Sequence, residues 1–131
     1  QFRRSVYVFR RRSTPYPFLG TFDTPNGETS CIRRARSNTP LQALMTLNET
    51  LSIEAAEHLA QRMTEAGGKD DRKAIAHGFR LCTSREPTAK ETSILFDLLK
   101  QQRANTAPDT IPPMVTLARV LLNLDETITK E

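Results

Sequence analysis

The sequence lacks tryptophan and has only two cysteines and two histidines among its 131 residues. The cysteines have no metal-ligand spacing and the histidines form no His-x-x-x-His pair, so no common zinc-site pattern is present. There is no Cys-x-x-Cys-His motif either, and we therefore predict no metal and no cofactor in this chain. Cys31 and Cys82 could pair in an oxidising compartment or stay reduced, with Cys82 on an apolar helix face.

Motifs for catalysis and membrane insertion are also missing. No serine lies in a Gly-x-Ser-x-Gly elbow, and there is no glycine-rich phosphate loop. Asp23 could join an active site built with other residues, but one carboxylate is not a mechanism. No apolar run approaches the ~20 residues that span a bilayer. We predict no complete catalytic site and no membrane span, and whether the parent protein is an enzyme stays open.

What the sequence does contain is arginine, concentrated near the start. Residues 1–36 hold eight arginines against Asp23 and Glu28, a balance of +6, whereas the whole chain carries +4. This asymmetry predicts an arm that docks onto an acidic surface. Tyr7 and Phe9 beside these arginines could stack nucleic-acid bases. Residues 37–131 are net acidic and show no helix-turn-helix signal, so a nucleic-acid partner is not predicted.

The chain divides near residue 38 into an arm, 1–38, and a helical bundle, 39–131. In the arm, the alternating run 6–9, the segment 18–22 and the Asn-Gly step at 26–27 predict one or two short β-strands with a turn. Two strands alone are marginal in water, so the arm needs a surface to lie on. The predicted fold is mainly α, a small helical bundle with an N-terminal arm of short strands.

In the bundle, two capping boxes predict helix starts. Thr39 and Gln42 flank Pro40 at the first helical position, and Thr88 pairs with Glu91. After Thr39, one apolar stripe is predicted to face the core, with a break allowed near residues 50–53; it consists of Leu44, Leu47, Leu51, Ala55, Leu59 and Met63. Further helices with short loops complete the bundle.

Four stretches of the sequence resemble a known family. They are Arg3 to Tyr7 with Phe22-Asp23, then Cys31 to Leu44 with Leu47-Asn48, and the later segments Arg80 to Thr88 and Leu121 to Glu126. Together they resemble a planctomycete C-terminal domain of unknown function, family fifteen-fifty-three of the domains of unknown function. The chain departs from the family at Thr83-Ser84, where a small apolar residue and glycine are expected, which affects a turn.

The resemblance implies a context rather than a chemistry. Members are large exported bacterial proteins, often with a cytochrome-c-like haem domain upstream, so it implies a periplasmic or cell-surface location and a haem within the parent protein. The first residue is Gln1 rather than Met, and we expect the chain to be a fragment of such a protein. Its predicted partners are the upstream domains of the same protein.

The arginine cluster is the main candidate site, with residues Arg33, Arg34, Arg36 and Asn38. It precedes a helix N-terminus, where backbone N–H groups favour an anion. The alternative is that these arginines pair with carboxylates such as Asp125 and Glu126, or with the upstream region. The sequence accordingly predicts a non-catalytic structural and docking module. The competing hypothesis is that the chain forms part of the substrate-binding site of an extracellular enzyme, either polysaccharide-directed or haem-linked. The cluster would then bind an anionic group of the substrate.

Overall fold

The structure, a computed structural model, describes residues 5–9, 11, 14–25, 27, 29–33, 37–105 and 110–129. Within these ranges the prediction of a mainly α fold is confirmed. A 3₁₀ turn, Ser5–Tyr7, is followed by α1 Pro17–Thr21, α2 Pro40–Asn48, α3 Thr50–Gly67, α4 Asp71–Thr83, α5 Ala89–Ala104, α6 Pro113–Leu122 and α7 Asp125–Ile128.

The prediction of β-strands in the arm is wrong. The described residues of the arm contain no strand, and the segments with β-like composition form the 3₁₀ turn and α1. Pro17 at the first helical position has its φ already set for a helix, and the rings of Phe18 and Phe22 lie one turn apart with centroids 4.8 Å apart. The run 6–9 has no neighbouring strand among the described residues, and an isolated strand leaves its backbone unpaired. Of the predicted turn, Asn26 lies outside the described residues.

The predicted apolar stripe is interrupted because α2 and α3 are separate helices. Glu49 adopts an extended conformation, with φ −71° and ψ 132°, and both ends α2 and precedes α3. The break shifts the helical phase, so that Ala56, Leu59, Ala60 and Met63 face the core from α3. Of the predicted stripe, Leu59 and Met63 are buried, whereas Leu44, Leu51 and Ala55 are exposed.

The core lies where α3, α4, α5 and α6 meet. Its fully buried larger side chains are Met63, Ile75, Leu99, Leu117 and Leu121. Burying a side chain of this size contributes about 1.5–3 kcal/mol, so these helices hold one another together. Helix α4 approaches α3 closely at Gly78, where a Cβ atom would lie 2.5 Å from Met63 Sδ.

The connection between α4 and α5 is fixed at both ends. Helix α4 ends at Ser84, which adopts the left-handed conformation with φ 64°. Helix α5 begins at Thr88, whose hydroxyl accepts from the Glu91 backbone N–H while the Glu91 carboxylate accepts from the Thr88 backbone N–H. The short loop between these two ends carries Arg85, and α7 packs beside it against α4 and α6.

Candidate functional site

Only part of the predicted arginine cluster can be placed. Arg33 is exposed and makes no ion pair with the described residues, while Arg34 and Arg36 lie outside them. The side-chain amide of Asn38 donates a hydrogen bond to the carboxylate of Asp125 at the start of α7. A carboxylate therefore occupies the position beside Asn38 where an anionic ligand was predicted.

The arm is held to α2 through Gln42, a polar side chain of that helix that is 1% exposed. Its Nε2 donates to the carbonyl oxygen of Thr21 at 2.9 Å and to Ser37 Oγ at 3.1 Å, and its Oε1 accepts from the Thr39 backbone N–H at 3.0 Å. The Asp23 carboxylate accepts from both the backbone N–H and the hydroxyl of Ser37, each at 2.8 Å. These five residues, the Gln42 network, join the arm to the N-terminus of α2.

Asp23 adopts an uncommon backbone conformation within this network. Its φ of 56° lies in the left-handed region, which a residue with a Cβ atom adopts at some cost. Such a conformation persists where the surrounding contacts determine it. Here the two hydrogen bonds from Ser37 hold the carboxylate, so the network fixes the backbone turn that follows α1.

Helix α2 has its polar side inward and its apolar side outward. Its one buried side chain is Gln42, whereas Leu41 and Leu44 are 57% and 58% exposed. The inward contacts are polar as well, since Thr46 Oγ1 donates to Asn123 Oδ1 at 2.7 Å and the Arg119 guanidinium donates to the carbonyl oxygen of Leu47. After the break at Glu49, Leu51 on α3 is also exposed, at 45%. We call Leu41, Leu44 and Leu51 the leucine face.

A second polar cluster surrounds Arg85. Its Nη2 lies 2.7 Å from both Glu91 Oε1 and Glu126 Oε1, and its guanidinium carbon lies 4.7 Å from the centre of the Phe79 ring. The Arg85 hydrogen bond, with those from the backbone and hydroxyl of Thr88, lowers the pKa of Glu91 from 4.5 to about 2. The same guanidinium lowers the pKa of Glu126 and has its own pKa raised by the two carboxylates.

An apolar groove of about 390 Å³ opens next to this cluster. Its volume falls in the range of about 300–1,000 Å³ that is usual for binding pockets. The lining residues are Phe79, Ile94, Leu95, Val120 and Leu124, with Arg85, Glu91, Asp125 and Glu126 at the charged end. The groove therefore combines an apolar floor with a rim in which carboxylates outnumber the guanidinium.

Residues 1–99 match the model of the PSD1 family, described as a protein of unknown function (DUF1553). This chain belongs to the PSD1 family. No match was found among the curated proteins or among the solved structures. Membership of a family of domains of unknown function is thereby confirmed, whereas planctomycete origin and a C-terminal position stay predictions.

The matched stretch of this PSD1 chain contains the whole Gln42 network. The motif that carried the resemblance, from Cys31 to Leu44, includes Ser37, Thr39 and Gln42 of this network. A capping box alone accounts for the Thr39–Gln42 pair, but the Gln42 side chain also reaches Thr21 and Ser37. The glutamine thus has a second structural task that the local pattern could not reveal.

One site residue of the PSD1 chain, Arg85, was missed from the sequence. Asp125 and Glu126, the alternative partners considered for the arginine cluster, bind Asn38 of that cluster and Arg85. The contact between Arg85 and Glu126 spans 41 positions and leaves no periodic signal. Asn123, which is half-buried, accepts a hydrogen bond from Thr46 and so joins the end of α6 to α2, whereas exposed Asn48 donates to a carbonyl oxygen of its own helix.

Two further features of the PSD1 chain concern metals and membranes. In the ranges that the structure describes, no group of three or more His, Cys, Asp or Glu side chains is placed to hold a metal ion. Across the same part of the chain, no helix is both long and apolar enough to cross a bilayer. Cys31 is exposed and Cys82 is buried in the core, and they are not bonded to each other.

Proposed function

We propose that this chain is a non-catalytic structural and docking module, the C-terminal part of a larger exported bacterial protein. The observation that carries the proposal is the orientation of α2. Leu41 and Leu44 point away from the bundle while Gln42 is buried, and a helix exposes leucines at a cost unless another surface covers them. We propose that the upstream domains of the same protein supply that surface.

The arrangement of the arm supports a structural task. Asp23, Ser37 and Gln42 are engaged with one another, so these polar groups hold the chain together rather than face a substrate. Exposed Arg33 lies in the adjacent part of the arm, where its guanidinium can pair with carboxylates of the upstream region. In this proposal the arm, 1–38, fastens the module and the bundle, 39–131, forms its body.

The wider setting is proposed from the family resemblance. It comprises a planctomycete parent, a periplasmic or cell-surface location, and a cytochrome-c-like domain in the same polypeptide that would hold any haem. The competing proposal, an anionic substrate at the arginine cluster of an enzyme, is disfavoured by the Asp125 carboxylate beside Asn38, which repels an anion.

Calorimetric titration of this chain into the upstream portion of its parent tests the docking function. We expect binding that survives high salt, because the leucine face contributes apolar contact that salt does not screen. Leu44→Glu should abolish it by placing a charge in the contact, at little cost to the free energy of unfolding since the residue is 58% exposed.

The matched control is Leu81→Glu, which replaces a 39% exposed leucine on α4, outside the leucine face. It should leave binding intact. Absence of binding by a chain that melts cooperatively, or equal loss with both variants, would overturn the proposal. Affinity of the unmodified chain for an anionic saccharide that is lost when Arg33 and Arg34 are replaced by glutamine, with no change in the melting temperature, would favour the enzyme hypothesis.

A further inference from the structure

The apolar groove between α5, α6 and α7 has no part in the proposed docking by the leucine face. Its wall on α5 is formed by Ile94, which is 57% exposed, and Leu95 lies at its floor, 6% exposed. Val120 and Leu124 close the opposite side from α6 and the start of α7. A partner side chain could therefore bury apolar surface here without displacing any core residue.

The charged end of the groove favours a cation. Asp125, Glu126 and Glu91 contribute three carboxylates, and Arg85 contributes the one guanidinium among the lining residues. Arg85 already makes hydrogen bonds with both glutamates, so it has little left to offer an anion. The local balance of −2 predicts a partner segment in which apolar side chains are followed by positive charge.

This chain itself contains such a segment. Val6, Tyr7 and Phe9 are 76%, 70% and 81% exposed, so the described residues of this chain leave them uncovered. In the sequence they are followed directly by Arg10, Arg11 and Arg12. The order of apolar and then cationic side chains matches the groove, with its apolar floor and its acidic end.

We propose that the groove binds the Val6–Phe9 segment of a second copy of this chain, with the arginines that follow it meeting the carboxylates of the groove. The contact is heterologous, since each copy offers a segment and a groove that are different surfaces. It goes beyond the docking function, because it uses neither the leucine face nor the upstream domains.

Sedimentation analysis of the 131-residue chain over a range of concentrations tests this contact. The unmodified chain should gain mass with concentration, less so at high salt because the ionic part is screened. Phe9→Ser removes the inserted ring, and Ile94→Lys places a charge in the apolar wall that receives the inserted side chains. Each variant alone should associate about tenfold more weakly or worse, because anchors buried at the centre of a contact dominate binding.

The decisive sample is an equimolar mixture of the two variants. The Ile94→Lys chain still has an intact segment and the Phe9→Ser chain an intact groove, so the mixture should associate where neither variant does alone. Both positions are exposed, and unchanged circular dichroism melts should show that the variants fold. Ser93→Lys adds the same charge at an exposed α5 position outside the groove and should leave association unchanged.

Leu44→Glu separates this inference from the docking function. It should abolish binding to the upstream portion and leave self-association intact. Self-association that is lost in Leu44→Glu but kept in Phe9→Ser and Ile94→Lys would show a dimer through the leucine face and overturn the proposal. A chain that stays monomeric at all concentrations, or a mixture that fails to associate, would also overturn it.

Discussion

Arg85 Nη2 lies 2.7 Å from Glu126 Oε1, which joins the loop between α4 and α5 to α7. Because the same nitrogen is equally close to Glu91 Oε1, one guanidinium connects the loop between α4 and α5 with both α5 and α7. A single interaction between exposed ions contributes little to stability, but a shared guanidinium with several well-directed hydrogen bonds contributes more. The Arg85 cluster therefore makes folding stability sensitive to pH.

Glu91 is expected to make this chain less stable in acid. Its pKa is lowered to about 2 from 4.5 by hydrogen bonds from Arg85 and Thr88, so the folded protein binds the proton less readily than the unfolded chain. The stabilisation is present above pH 4.5 and is lost as the pH falls towards 2. Glu91→Gln keeps a capping side chain but removes the charge, and denaturant unfolding at several pH values should show a shallower loss of stability in this interval.

Glu57→Gln on the exposed side of α3 is the control for that measurement, and its pH profile should follow that of the unmodified protein. If Glu91→Gln and the unmodified protein lose the same unfolding free energy between pH 4.5 and 2, Glu91 is not the source of the acid sensitivity.

Gln42→Leu should release the arm from α2. The substitution leaves the half-buried Thr21 carbonyl and Thr39 backbone N–H without this partner, while the Ser37 hydroxyl keeps only its bond to Asp23. A buried group left unsatisfied costs about 1–3 kcal/mol, and these half-buried groups lie towards the lower end of that range. We expect faster hydrogen exchange at the Ser37 amide, which donates to Asp23 in the intact network, and a lower unfolding free energy.

Exchange in the core of α4 should change much less than exchange at Ser37. Gln101→Leu makes the same chemical change at an exposed position of α5, away from the arm. In this variant the Ser37 amide should exchange as slowly as in the unmodified chain. Equal protection of Ser37 in Gln42→Leu would contradict the fastening role of Gln42.

Ser84→Gly should stabilise the chain. Ser84 ends α4 with φ 64°, a conformation that glycine adopts without the steric cost of a Cβ atom. Part of the gain is offset by the greater freedom of glycine in the unfolded chain, and we expect a net increase of about 0.5–1 kcal/mol in denaturant unfolding. Ser93→Gly within α5 should have the opposite sign, since glycine in a helix interior is unfavourable. A lower stability of Ser84→Gly would contradict the assigned conformation.

The sequence predicted the features of the fold that depend on local geometry. Thr39 and Thr88 occupy N-cap positions because their hydroxyls reach the backbone N–H three residues later, a relation that the spacing alone specifies. The departure at Ser84 was also visible, because a helix end commonly requires glycine. Cys82, predicted on an apolar helix face, is buried in the core at 7% exposure.

Features that depend on contacts distant in sequence were not predictable in this way. The run 6–9 has strand-like composition, but a strand requires a partner that composition does not supply. Leu44 and Leu51 fit an apolar stripe, yet the break at Glu49 and the inward polar contacts of Thr46 turn this side outward. The contact between Arg85 and Glu126 was not predicted, because Arg85 carries no local sign that it lies near α7.

Because the leucines of α2 face outward, selection for folding and selection for attachment should act on different residues of this one helix. Changes at Leu41, Leu44 and Leu51 should barely alter the melting temperature, whereas changes at Gln42 and Thr46 should lower it. A library of variants sorted for folded protein would therefore tolerate polar residues at the three leucines, and the same library sorted for attachment to the parent would not. Neighbouring positions such as 41 and 42 would then be under different constraints. Position 41 would be constrained by the surface of the parent protein, and position 42 by contacts within this chain.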